Sequence, residues 1–160
     1  MSSFDGKSPL ELLSLHVAIM DELRDRGIIR SGNNPTGDYA EHLFCKRFGW
    51  KLEGNSRKGY DAIDDAMKYQ IKGRRLNRHS NQSRQLSAIR DLDGFNVLAG
   101  VLFDHDFRIT RAALIPVRIV QKLSAPADYT NSFKLFLRDQ VWDEAGVRDV
   151  TAELREVELG

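Results

Sequence analysis

Leu10, Leu13, Val17 and Met20 recur at helical spacing, widened by Leu12, Ile19 and Leu23, and predict an amphipathic helix over about residues 9–26. Its start is written in Ser8-Pro9-Leu10-Glu11: Ser8 caps, Pro9 suits the first turn and Glu11 completes a capping box, while Gly27 is a stop. The continuous apolar stripe predicts that this helix packs against the domain. After the polar run Ser31-Gly32-Asn33-Asn34-Pro35, a second helix is expected from a Thr36 cap to Gly49, with Ala40, Leu43, Phe44 and Phe48 as its stripe. Glu41 lies about 100° around that helix from Ala40, partly covered yet able to reach a neighbouring cleft.

Beyond Trp50 the period shortens to that of strands. Short strands are expected near Lys51–Glu53 and Tyr60–Ile63, with turns at Ser56–Gly59 and Asp64-Asp65. Lys68 to Leu76 alternates, placing Tyr69 and Ile71 on one face and Lys68, Gln70 and Lys72 on the other. Asn77–Ser83 reads as a polar loop and Arg84–Arg90 as a short helix. Phe95 to Phe103 is apolar enough for a central strand buried on both faces, and Phe107–Leu114 is its hairpin partner. The residue types of Asp104-His105-Asp106 suit a metal, but their position between two apolar strands favours a hairpin turn. Pro116 opens a short helix to about Leu123; a strand at Phe133–Leu137 and a helical tail from about Asp139 make up a C-terminal region over about 133–157. The expectation is one α/β or α+β domain spanning residues 1–160.

Composition narrows the class. At 160 residues, 41% hydrophobic and 29% charged, the chain suits one globular domain with its own core. No apolar run has the length of a membrane span, and Met1 to Gly6 lack the marks of a secretory signal, so a cytoplasmic protein is expected. A lone Cys45 excludes an internal disulfide and a thiolate zinc site, leaving oxygen or imidazole to hold any metal. Trp50, Phe95, Phe103 and Phe107 sit in apolar patterns and read as core. The net charge of +1 hides a division: residues 68–90 hold seven Lys/Arg and no Asp/Glu, leaving −6 elsewhere. A local cationic stretch beside acidic groups suits a phosphate backbone.

Within that division lies the candidate chemistry: Asp61, eight residues, then Gln70-Ile71-Lys72. Adjacent antiparallel strands would bring the carboxylate beside a polar pair projecting from one face. Phosphodiester hydrolysis needs a hard divalent cation, a positioned water and positive charge near phosphorus. Asp61, the Gln70 side-chain carbonyl and the Ile71 backbone carbonyl supply oxygen ligands for Mg²⁺, with Mn²⁺ as a substitute. Lys72 would orient or deprotonate water, or stabilise the phosphoryl charge. Glu41 would bind metal or accept a proton. Arg74, Arg75, Arg78 and Arg84, with His79, Asn81 and Gln82 between them, would run along phosphates. Singly each residue has an ordinary alternative: a turn or surface salt bridge for Asp61, a solvated strand lysine for Lys72, a cross-strand hydrogen bond for Gln70, and a solvent-facing position for Glu41.

Together these residues resemble the PD-(D/E)xK nuclease superfamily: a helical Glu41, then Gly59-Tyr60-Asp61, then a second strand with Gln70-Ile71-Lys72. The resemblance covers roughly residues 36–123. The family's usual acidic residue before xK is Gln70 here, as in the QxK version of Mrr-type restriction endonucleases and their relatives, and its proline before the aspartate is Tyr60. The resemblance implies a restriction-endonuclease-like mixed sheet flanked by helices, and Mg²⁺-dependent endonucleolytic cleavage of DNA, with RNA not excluded. Asp61, Gln70 and Lys72 are then the core positions, and a symmetric homodimer is expected if both strands are cut. The rival readings are a catalytically inactive nucleic-acid binder of the same fold and a protein-interaction module.

Overall fold

A computed structural model of the chain describes residues 2–54, 59–78 and 83–158. The turn expected at Ser56–Gly59 and the loop residues His79, Asn81 and Gln82 therefore lie wholly or mostly outside the described residues.

Cap chemistry sets the helix ends. Helix α1 spans Pro9–Asp25, and the Ser8/Glu11 capping box is formed in both directions. Helix α2 spans Thr36–Phe48 and ends at Gly49 in the left-handed region (φ 71°). Thr36 is not its cap, because Pro35 occupies that position; Thr36 N–H and Oγ1–H both donate to the Asn34 side chain, at 3.0 and 2.7 Å.

The strands are β1 (Lys51–Leu52), β2 (Ala62–Asp64), β3 (Met67–Arg75), β4 (Val97–Phe103), β5 (Ile109–Pro116), β6 (Ala125–Ala127), β7 (Ser132–Lys134) and β8 (Arg148–Asp149). Helix α3 (Val117–Leu123) follows Pro116, and α4 (Thr151–Glu158) follows β8. The tail expected to be helical from Asp139 is instead a 3₁₀ helix (Asp139–Asp143), then β8 and α4.

Six strands form one mixed sheet in the order β1-β2-β3-β4-β5-β8, and β6 pairs β7 separately. Among the described residues only β3 and β4 run parallel, with Tyr69 opposite Val97 and Lys72 opposite Gly100. The apolar run of β4 is explained by its place between β3 and β5 with a core on each face. Ala99, Val101 and Phe103 pack with α2, Trp50, Tyr69, Ile71 and Leu154 of α4. Leu98 and Leu102 pack on the other side with Leu86, Ile89, α3 residues Ile119 and Val120, Leu135 and Leu137. Gly73 lets α2 approach β3, since a Cβ there would stand 3.0 Å from that of Ala40. The result is a single α+β domain with a mixed central sheet. Among the described residues, no helix is long and apolar enough to cross a membrane.

Two further expectations are corrected. Arg84–Arg90 is not helical: Gln85 and Ile89 form bridges with Phe136 and Phe133, and Leu86 N–H donates to Leu135 O at 2.9 Å. Leu86 and Ile89 are both buried where this stretch pairs with a segment some fifty residues away, and pairing of that range overrides local preference. The second correction concerns α1. It forms where expected, but of its 17 residues only Met20 is buried and Leu23 half-buried, so most of its apolar stripe is left uncovered.

Candidate functional site

The alternation of β3 turns Tyr69 and Ile71 into the core under α2 and leaves Gln70 and Lys72 facing the opposite side. β2 pairs with only the first part of β3, Ala62 opposite Tyr69, so the edge of β3 is open from Gln70 onward. Asp61 stands at that opening. Its N–H donates to Tyr69 O at 2.8 Å, which continues the ladder by one bond, and its carboxylate accepts from Ile71 N–H at 2.7 Å and from Gln70 Nε2 at 2.9 Å. In a strand the N–H and C=O of one residue point to the same edge. The Ile71 carbonyl is therefore directed to the edge that holds Asp61.

Asp61, Gln70 and Lys72 line one cleft of about 300 Å³, walled by Gly59, Tyr60 and the segment Ala88–Asp91. Lys72 Nζ donates across it to Ser87 Oγ (2.9 Å) and Ala88 O (3.1 Å). Burial pulls the Lys72 ammonium below its ordinary pKa, against the pull of Asp61 in the other direction. Burial likewise pushes the Asp61 carboxyl up, opposed by the Ile71 hydrogen bond and the charges of Lys72 and Arg30. Each group stands in a site that penalises its charge, where an incoming cation or phosphate has large leverage.

Glu41 is not brought into this cleft. It rises from the helix on the other face of β3, lines a separate cavity with Asp38, His42 and Cys45, and forms a 2.6 Å ion pair with Arg30. Its carboxyl is raised by burial, countered by the Arg30 hydrogen bond and reinforced by the charge of Asp61 across the sheet edge. Among the described residues, no cluster of three or more His, Cys, Asp or Glu side chains forms a metal cage. The donors that fit a hard cation are the Asp61 carboxylate, the Ile71 carbonyl and Gln70, whose amide presents oxygen after a half-turn about its terminal bond. One carboxylate with neutral oxygens and water suits Mg²⁺, which keeps much of its hydration.

The four arginines do not share a single track. Arg74 lines a cavity of about 270 Å³ with Asn34, Thr36, Gly73, Arg75 and Asn77, and its buried Nε has no partner among the described residues. Arg75 donates to His105 O and lies over the Phe107 ring, and Arg78 meets His105 Nε2 at 2.6 Å. Arg84 is ion-paired with Asp139 at 2.7 Å. The turn itself is organised by Asp104, whose carboxylate accepts from Asp106 and Arg108 N–H. Trp50, Phe95 and Phe103 are buried in the cores and Phe107 packs partly against one of them.

Four participants escaped the sequence reading: Arg30, Ser87, the Ala88 carbonyl and Arg90. Arg90 carries the one available signal, as the last cation of the acid-free stretch 68–90.

The raised carboxyls have a stability consequence. Because the folded state holds these protons more tightly than the unfolded chain, the stabilisation is fully present below the ordinary values of 3.8 and 4.5 and is lost as pH rises through the raised ones. In metal-free buffer, the double variant Asp61→Asn/Glu41→Gln should gain melting temperature relative to wild type as pH increases from about 4. A difference that stays constant with pH would rule out these two carboxyls as its source. Compared with known proteins, the chain matches no family model and no curated sequence.

Proposed function

We propose that the protein is a divalent-metal-dependent endonuclease, a phosphodiester hydrolase acting on DNA, on a restriction-endonuclease-like domain. The observation that carries this reading is the convergence of Asp61, Gln70 and Lys72 in one cleft at the open edge of β3. A bound Mg²⁺ would supply Lewis acidity toward a phosphoryl oxygen. Asp61, Gln70 and the Ile71 carbonyl would hold it. Lys72, whose neutral form is favoured by burial, takes a proton from the attacking water or, protonated, faces the charge developing on phosphorus. Water adds to phosphorus, the phosphodiester oxygen leaves, and a proton returns to that oxygen. Arg74, two residues beyond Lys72 and with a buried Nε that has no partner among the described residues, contributes a phosphate contact.

A second reading is supported by the single carboxylate of the cleft and the engagement of Glu41 by Arg30: a binder that keeps the fold without cutting. Incubation of circular, linear and branched DNA and of RNA with Mg²⁺, Mn²⁺ or EDTA separates the two. Metal-dependent cleavage of DNA abolished by Asp61→Ala is expected; salt-sensitive binding with no product under any metal would establish the binder instead.

A further inference from the structure

The end of β3 and the start of α2 frame the groove of about 270 Å³ lined by Asn34, Thr36, Gly73, Arg74, Arg75 and Asn77. Strand and helix touch at Gly73, where a Cβ would stand 3.0 Å from that of Ala40 and 3.4 Å from Thr36 O, so the two walls are held together. Two guanidinium groups line the groove, and no carboxylate of the described residues does. Asp38, the acid of the first turn of α2, instead accepts from the N–H groups of Arg30 and Ser31, both at 2.9 Å. Arg75 gives Nε and Nη2 to His105 O, a neutral acceptor that leaves its charge uncompensated. Arg74 is half-buried, and its buried Nε has no partner among the described residues. A cation taken partly out of water without a partner is costly, and such a group calls for an anion or water to answer it. One more donor is fixed by its neighbours. Asn34 Oδ1 accepts both the N–H and the Oγ1–H of Thr36, at 3.0 and 2.7 Å, which leaves the Asn34 NH₂ group for a ligand.

We propose that this groove binds a terminal phosphate of a nucleic-acid strand, a phosphomonoester held by Arg74, Arg75 and the Asn34 amide. Charge selects that class. Two guanidinium groups balance a phosphomonoester, which carries about −1.5 to −2 at pH 7, whereas a phosphodiester within a strand carries a single charge. Guanidinium forks meet phosphate oxygens two at a time, and the amide donates to a remaining one. The binding stands by itself; its consequence for cleavage rests on the nuclease reading. Arg74 lies two residues beyond Lys72, about 6.6 Å along an extended strand. A phosphate held here sets the cleft a short step in from a phosphorylated end, so the substrate it names is a nicked, gapped or broken strand that bears one.

Binding in EDTA, where metal-dependent cleavage is silent, tests this apart from catalysis. Fluorescence anisotropy at one salt concentration compares single-stranded oligonucleotides of one sequence carrying a 5′-phosphate, a 3′-phosphate or hydroxyl ends. A phosphorylated strand should bind about 10-fold more tightly than its hydroxyl-ended twin, and inorganic phosphate should compete the difference away. Arg74→Gln should abolish the preference and leave the hydroxyl-ended strand bound as before. Asn34→Asp should do the same by a different route: aspartate still accepts from Thr36, so the turn and the fold are kept, but a carboxylate enters the groove. Equal binding of phosphorylated and hydroxyl-ended strands by wild type, or binding of neither, overturns the proposal, as does a preference that survives either folded variant. An equal loss for every strand in Asn34→Asp assigns the groove to an internal phosphodiester and overturns the terminal assignment.

Discussion

Lys72→Ala is expected to slow DNA cleavage by about 10²–10⁴-fold, the range for loss of a positioned proton-transfer group. Affinity for uncut duplex should change only slightly, by the equivalent of one phosphate contact, or about one unit in the salt slope. The asymmetry follows from the setting of the amine. Ser87 Oγ and Ala88 O hold Nζ beside Asp61, and burial brings its pKa down from 10.5. Lys72→Arg then separates its two possible roles. If the amine accepts the proton of water, wild-type cleavage rises with pH through a pKa below 10.5, and the arginine variant loses both rate and rise. If the lysine acts only as charge, wild-type cleavage instead falls as pH rises through that pKa, and arginine restores much of the rate without the fall. Wild-type cleavage by Lys72→Ala would remove the residue from the mechanism.

Gly94→Ala is expected to lower cleavage by about 10²-fold, although Gly94 touches none of the reacting groups. A Cβ at this position would stand 3.0 Å from Gly59 O, 3.1 Å from its Cα and 3.2 Å from its carbonyl carbon. Gly59, at φ 76°, adopts a conformation that other residues rarely take and leads within two residues to Asp61. The added methyl therefore pushes on the backbone that positions the carboxylate. Overpacking of this kind costs about 1–3 kcal/mol, which a thermal melt detects alongside single-turnover cleavage. Gly37→Ala is the control, since nothing lies within 4 Å of the new Cβ and the position is helical; it should stabilise by about 0.5–1 kcal/mol without altering the rate. Equal behaviour of the two variants would dissociate Gly94 from the site.

Residues whose environment is local could be read before the fold was known. The Ser8–Glu11 box, the Gly49 stop and the alternation of Tyr69, Gln70, Ile71 and Lys72 each depend on neighbours a few positions away, and each is formed. The unbroken apolar run of β4 announced a strand with two covered faces. Long-range pairing was hidden. The extended course of Arg84–Arg90 depends on residues 133–137, and the contact between Gly59 and Gly94 joins two loops 35 positions apart. Glu41 shows the same limit within the candidate site. Its placement on α2 was legible, but a helix wheel carries no information about Arg30, which pairs with it, or about which face of the sheet α2 covers.

The parallel alignment of β3 and β4 obliges the chain to travel from the end of one strand back to the start of the other, and residues 76–96 make that journey. On the way they carry Ser87, Ala88 and Arg90 over the cleft, anchored by bonds such as Ile89 N–H to Phe133 O at 3.0 Å. The ladder that fixes Gln70 and Lys72 and the passage that walls the space in front of them are thus encoded in separate stretches. Insertions or deletions after Asn77 can alter what reaches the strand without disturbing its register. On the proposed function, editing that loop would change which substrates reach the cleft while Asp61, Gln70 and Lys72 stay where they are.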